Sequence, residues 1–336
     1  MTDQTHPRTA MLRRLVAALT LASSMATLPS ATWADDAKPA TDVRIGQLPA
    51  ANTLTIQGLD GSDGPLREVL AKAGAKPVWA GPFASYPAAA EAAKAGKIDI
   101  TSSGFASLIN EAKAKSDILL FAIEADHLGE GIVVRGNSGI NSVRDLQGKK
   151  IAVNFKGGTG DYIVARTLEE NGLSREGITT ININNPEDGV AAFASGNVDA
   201  IATWDQYLAA AINVPGAKLL VDGKQIKSLN SWVHFVTRDF ATKNPKALKA
   251  LYDGLVAEAA KIDADPSLDS AAYKKQGAPA KIIDTIAGWK LKPRIIPIDD
   301  AGLARVQQIA RQTYAYGFQE NLVDVTNNVF DVTKVK

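Results

Sequence analysis

The chain has 336 residues, 46% of them hydrophobic, with 37 Lys plus Arg against 36 Asp plus Glu. That length and apolar content suffice for a large core of more than one ordinary domain unit, and a balance so near neutral gives no electrostatic footprint for nucleic acid. Cysteine is absent and only three histidines occur, which excludes cysteine nucleophiles, thiolate zinc sites and iron–sulfur clusters and leaves His127 and His234 without a partner at metal-ligand spacing.

In chain order, residues 1–34 read as a secretory signal peptide. Met11-Leu12-Arg13-Arg14 is basic, Leu15 to Leu28 is apolar, and Thr32-Trp33-Ala34 puts small residues before Asp35-Asp36. The apolar run is shorter than the roughly 20 residues of a membrane-spanning helix. Removing 1–34 leaves 34 basic and 35 acidic residues, a net charge of −1. The expectation is an exported, periplasmic protein.

After a short lead at 37–41, β-rich runs alternate with Ala-rich helical stretches. Strands are expected at 43–47, 77–79, 98–101, 118–123, 132–135, 150–154, 178–183, 198–203, 218–221 and 232–237. Helices are expected at 65–73, 88–95, 106–114, 161–171, 188–194 and 206–212. This alternation predicts a parallel, doubly wound α/β architecture. Beyond Arg238 the pattern turns helical, at 245–262, around 278–287 and at 300–316.

One internal repeat organises these elements. Ala95-Gly96-Lys97-Ile98-Asp99 recurs as Ser195-Gly196-Asn197-Val198-Asp199, each after an Ala-rich helix and each followed by a bulky aromatic, Phe105 or Trp204. Gly takes the left-handed C-cap and Asp enters an apolar strand. Two related lobes, about one hundred residues apart, are the reading. In open α/β sheets ligands sit beyond the carboxyl ends of the strands, so two such edges would face across a cleft.

The loops at those edges carry the candidate chemistry. Asn154-Phe155-Lys156-Gly157-Gly158-Thr159-Gly160-Asp161 follows a strand and opens a helix, so Gly158, Thr159 and Gly160 would offer N–H groups and a hydroxyl to an oxyanion. It lacks the Gly-Lys-Ser/Thr of a nucleotide loop. Ser103, Gly104 and Phe105 stand in the equivalent loop of the first repeat, and Ser85 precedes another Ala-rich helix; either Ser could instead be a helix cap. Trp204 and Trp232 could wall the cleft or pack inside, and Asp205 could orient a ligand amine or hold neighbouring N–H groups. There is no Gly-x-Ser-x-Gly elbow and no catalytic constellation, and no cofactor is expected.

Taken together, several segments resemble the periplasmic binding proteins for nitrate, sulfonate and taurine. They are Val78-Trp79, Phe83, Ser85, Glu91-Ala92, Ala95 to Asp99, Ile132-Val133-Val134, Asn137 to Ile140, Asp145-Leu146 with Gly148 to Ala152, Gly158-Thr159, Gly196 with Val198-Asp199-Ala200, and Trp204-Asp205 with Tyr207. The order and spacing are similar over nearly the whole chain after the leader. Gln206 stands where that family usually has proline, and the first loop follows the family only through Gly46-Gln47, which places Gln47 among the ligand candidates.

The resemblance implies a two-lobed, type II Venus-flytrap fold with two crossings between lobes. The expected division is a first lobe of 42–131 plus 238–336 and a second of 132–237, with extended crossings near 132–135 and 235–238. It further implies a monomer that delivers a small anion, an aliphatic sulfonate or taurine, to an ABC transporter permease in the inner membrane. Nitrate, bicarbonate, a thiamine precursor or a small carboxylate are the alternative solutes. A related group makes thiamine pyrimidine enzymatically with a cysteine cluster, which this cysteine-free chain lacks, so the expectation is a non-enzyme.

Overall fold

A computed structural model describes residues 39–48, 52–59, 64–83, 85–126 and 129–336; the expected signal peptide at 1–34 lies outside the described residues. The chain enters through β1 (Thr41–Gly46), α1 (Thr53–Leu59), α2 (Gly64–Lys72), β2 (Ala75–Ala80), α3 (Tyr86–Lys94), β3 (Ile100–Gly104), α4 (Ala106–Lys113) and β4 (Ile118–Ala125). It continues with β5 (Glu130–Arg135), β6 (Lys150–Val153), α5 (Thr159–Glu170), β7 (Thr179–Asn182), α6 (Pro186–Ser195), β8 (Ala200–Trp204), α7 (Asp205–Ile212) and β9 (Ala217–Asp222). It returns through β10 (Trp232–Thr237), α8 (Arg238–Lys243), α9 (Pro245–Ala264), α10 (Ser267–Lys275), α11 (Ala280–Trp289), β11 (Arg294–Pro297) and α12 (Asp300–Ala315).

Two sheets result, one ordered β11-β4-β10-β3-β1-β2 and the other β7-β6-β8-β5-β9. Within each, the strands of the repeat run parallel: β1 with β2 and β3, and β6 with β7 and β8. β10 and β5 run antiparallel to them, so both sheets are mixed where a parallel sheet was expected. The crossings explain the reversal. A chain that leaves one lobe at its carboxyl edge must enter the other at that same edge, and its first strand then runs the opposite way.

Those crossings correct the expected division. β10 lies between β3 and β4 in the six-stranded sheet, so 232–237 belongs with the first lobe's strands. The segments 132–135 and 235–238 were expected to link the lobes. In fact 132–135 lies within β5, paired on both sides, and 235–237 completes the likewise paired β10. The chain passes between sheets after β4 and again at 223–231.

Local sequence explains the elements that position the site. Asn185 caps α6 by accepting from Glu187 N at 3.0 Å, Pro186 starts the helix, and Gly196 ends it at φ 87°, the left-handed conformation glycine tolerates. β4, Ile-Leu-Leu-Phe-Ala-Ile-Glu-Ala, is buried along its whole length because helices cover both faces of its sheet. On one face Leu66 and Leu70 meet Leu248, Leu251 and Leu255; on the other Phe105, Leu108, Phe235 and Ile309 pack together. Each such side chain contributes about 1.5–3 kcal/mol of burial free energy. The second sheet is covered in the same way, by Ile163 and Val164 on one side and Phe193 and Leu208 on the other. Among the described residues no helix is long and apolar enough to cross a membrane.

Candidate functional site

The carboxyl ends of β1 and β3 face those of β6 and β8. Two candidate residues meet there: a Cβ built on Gly104 would lie 3.6 Å from Thr159 Oγ1. Gly104 ends β3, and Thr159 opens α5 in the other lobe. Trp232, the first residue of β10, pairs in register with Gly104 and stands at the same edge. Its indole Nε1 is buried without a hydrogen-bond partner.

The hydroxyls nearby form a donor set. Ser103 Oγ lies 2.7 Å from Ser107 Oγ, and a pair of hydroxyls that bond each other keeps one proton to donate elsewhere. Asn52 is fully buried; its Nδ2 donates to Ser102 Oγ at 3.0 Å and its Oδ1 accepts from Thr55 N at 3.0 Å, which starts α1. Glu124 holds the same helix end. Its carboxylate accepts from Thr53 N at 3.0 Å and Thr53 Oγ1 at 2.7 Å, and pairs with His234 Nε2 at 2.9 Å, all three side chains fully buried. A carboxylate already occupies the positive end of α1.

The glycine-rich loop behaves differently from its sequence reading. Gly157 N donates to Asp161 Oδ2 at 2.9 Å, Gly158 N to Phe155 O at 3.0 Å and Gly160 N to Asn154 Oδ1 at 3.0 Å. Two of the three expected anion donors, Gly158 and Gly160, are therefore used inside the loop, as is Gly157. The glycines serve close packing: a Cβ on Gly160 would meet Ala202 O at 2.6 Å, and one on Gly158 would strike Asn154. Thr159 remains, half-buried and facing Gly104.

Other candidates divide. Phe105, a ligand candidate with the rest of the first repeat's loop, is 2% exposed and packs in the first lobe's core. Asp205 adopts φ 45°, and its Oδ1 accepts from Gly129 N at 3.1 Å; it holds a neighbouring N–H group, the second of its two sequence readings. Trp204 ends β8 half-buried, edge-on to Tyr207 at 6.1 Å. Gln47 lies over Gly58, with its backbone bonded to Ala80 and Phe83. Ser85 sits exposed at the start of α3, where its side chain makes no capping bond.

Sequence reasoning missed the residues that hold the lobes together. Glu130 opens β5 and accepts from Asn230 Nδ2 of the second crossing at 2.8 Å; burial pushes its carboxyl pKa up, while Asn230 and Ser228 pull it down. Tyr162 of α5 accepts from Leu229 N at 3.2 Å and donates to Gln312 of α12 at 3.1 Å, and burial lifts its phenol to about 12. Tyr316 bonds Glu169, and the Arg175 guanidinium lies 5.2 Å over the Phe318 ring. A lone acid or Tyr inside an apolar stretch was the available signal.

Two mixed sheets joined by two crossings, with their carboxyl edges opposed, define a two-lobed α/β protein of the periplasmic-binding type. The family model described as NMT1/THI5 like matches residues 83–267, and the chain belongs to that family. A protein of Escherichia coli (strain K12) named putative aliphatic sulfonates-binding protein is 30% identical over 261 residues, 76% of this chain and 79% of its own. The crystal structure of the periplasmic aliphatic sulphonate binding protein SsuA from Escherichia coli superposes with a TM-score of 0.75 at 26% identity, covering 88% of this chain and 94% of its own. The alkanesulfonate-binding protein SsuA from Xanthomonas axonopodis pv. citri, bound to MOPS, gives a TM-score of 0.71 at 25% identity, with 86% and 98% covered.

Proposed function

We propose that this protein is the periplasmic solute-binding component of an ABC importer and captures an aliphatic sulfonate, without chemical turnover, for a permease in the inner membrane. The observation that carries the reading is Trp232 Nε1, a buried donor without a partner beside Gly104 and opposite Thr159. Such a group is costly to bury unless something accepts from it. A sulfonate offers three oxygens, stays ionised and can be held by neutral donors: the Trp232 indole, the Ser103–Ser107 hydroxyls and Thr159. The indole faces of Trp232 and Trp204 then suit a short apolar tail. The names and ligands of the relatives support the same solute class. The protein acts as a monomer in this reading.

The test is a melting and calorimetry panel of ethanesulfonate, taurine, nitrate, bicarbonate, a thiamine precursor and acetate. At ~100 times its Kd a true ligand adds roughly 2.7 kcal/mol of stability. A sulfonate is expected to shift the melt and to be recovered unaltered. Trp232→Phe should weaken it by roughly 10- to 100-fold, the worth of one hydrogen bond to a charged group. A melt that answers to nitrate or a carboxylate and to no sulfonate overturns the solute. Conversion of the sulfonate to another compound overturns the binding-protein reading.

A further inference from the structure

A cavity of about 520 Å³ lies beside the crossings, the edge strand β9 and the segment leading into β11. The candidate cleft loops follow β1, β3, β6 and β8, and none of the cleft candidates lines this cavity. Both crossings border it, through Gly129 and Asn230, and α12 contributes Arg305.

Arg305 is the group that calls for a ligand. Its Nη2 donates to Leu229 O at 3.3 Å and Ser231 Oγ at 3.2 Å, both neutral acceptors, and its Nε is buried with no partner. Burial lowers the guanidinium's pKa, with Asp126 acting in the opposite sense. A half-buried cation that bonds only neutral oxygens lacks the compensation that an anion would supply.

The rest of the lining favours the same charge. Of the three carboxylates in the lining, Asp126 is paired with Arg294, Glu130 is turned to Asn230, and Asp222 Oδ1 accepts from Gln225 N at 2.8 Å. Lys224 and Lys290 stand exposed at the rim. The apolar portion is the half-buried Trp289 with Leu208, Leu219 and Leu291. Trp289 presses against Gly129, where a Cβ would stand 2.3 Å from the indole, so the ring is fixed against the first crossing.

We propose that this cavity is a second binding site, for an organic monoanion with a flat apolar body. The anionic head meets Arg305 and Lys224, and the body lies along Trp289. Its occupant touches both crossings, where the lobes are joined.

The experiment is a calorimetric titration of naphthalene-1-sulfonate into the mature protein and three variants, with ethanesulfonate kept saturating so that the cleft is occupied. One saturable site is expected, weakened at least fivefold by Arg305→Gln and by Lys224→Glu and changed less than twofold by Trp232→Phe. Lys224 is exposed, so Lys224→Glu decides the matter if Arg305→Gln fails to fold. Absence of saturable binding, a loss under fivefold in Lys224→Glu, or a site that answers to Trp232→Phe overturns the proposal. Because the cleft is read out separately by Trp232→Phe with ethanesulfonate, failure here leaves the sulfonate reading standing, and the converse holds.

Discussion

Asp99 and Asp199 hold equivalent places in the two lobes. Asp99 Oδ2 accepts from Arg44 N of β1 at 3.0 Å, and Asp199 Oδ2 accepts from Lys150 N of β6 at 2.9 Å. Each backbone N–H also donates across to the same partner, Asp99 to Arg44 O at 2.7 Å and Asp199 to Lys150 O at 2.9 Å. The repeated Gly-x-x-Asp thus locks the strand of each repeat to its neighbour at the edge away from the cleft.

The two locks differ in burial, and so should their mutants. Asp99 is buried and also binds the Arg44 side chain at 2.8 Å, whereas Asp199 is half-buried. Asp99→Ala should cost about 2 kcal/mol and Asp199→Ala about 1 kcal/mol, the range for hydrogen bonds with and without a charged side-chain partner. Urea unfolding of both variants checks the order. Equal losses would contradict the account.

Much of this plan was legible in sequence because it is local. The reading of 232–237 as a strand matches β10, and the repeat marked the two lobes. Non-local features were not legible. Thr53–Leu59 is Thr-Leu-Thr-Ile-Gln-Gly-Leu, rich in β-branched residues that disfavour helix; Glu124, 71 residues away, supplies its capping acceptors. β11 has four residues, Arg-Ile-Ile-Pro, and exists through pairing with β4. No pattern along β5 or β10 states strand direction, which the crossings impose. At the site, an aromatic after a strand pointed equally to cleft and core. Phe105 packed inside, and Trp232 kept a free donor at the edge.

Glu124 should therefore be a positioning residue for the cleft. Glu124→Ala leaves Thr53 N–H and His234 without their buried acceptor, and about 3 kcal/mol or more of stability should go. Glu124→Gln keeps the shape and one acceptor oxygen, so its loss should be smaller. Hydrogen exchange of the α1 amides should speed up in both variants, relative to those of α9. Uniform acceleration across the protein would argue against a local role.

Glu130 sets a pH dependence. Its folded-state pKa is raised by burial, so the folded form holds the proton more tightly than the unfolded chain. The stability tied to it is present below the ordinary glutamate pKa of about 4.3 and is lost as pH rises through the folded value. Glu130→Gln cannot ionise, and its amide oxygen can still accept from Asn230. The variant should melt a few degrees above the parent at pH 8 and alongside it near pH 4. A constant offset at all pH values would assign the effect to packing instead.

The last prediction concerns how the lobes move. Tyr162 ties α5 of the second lobe both to the second crossing, through Leu229 N, and to α12, through Gln312. α12 itself is packed on the first lobe's core by Val306, Ile309 and Ala310. Opening the cleft while each lobe stays rigid must stretch the Tyr162–Gln312 bond, together with Tyr316–Glu169 and the Arg175–Phe318 stack. Tyr162→Phe removes the hydroxyl and keeps the ring. At about 1 kcal/mol for the bond, the open population should rise roughly fivefold. Small-angle scattering should then give the unliganded variant a larger radius of gyration than the parent, and saturating ethanesulfonate should bring the two together. Because part of the binding free energy goes to closing the more open form, its affinity should fall by no more than the same factor of about five. Identical unliganded profiles for variant and parent would show that Tyr162 braces α5 without governing the lobes.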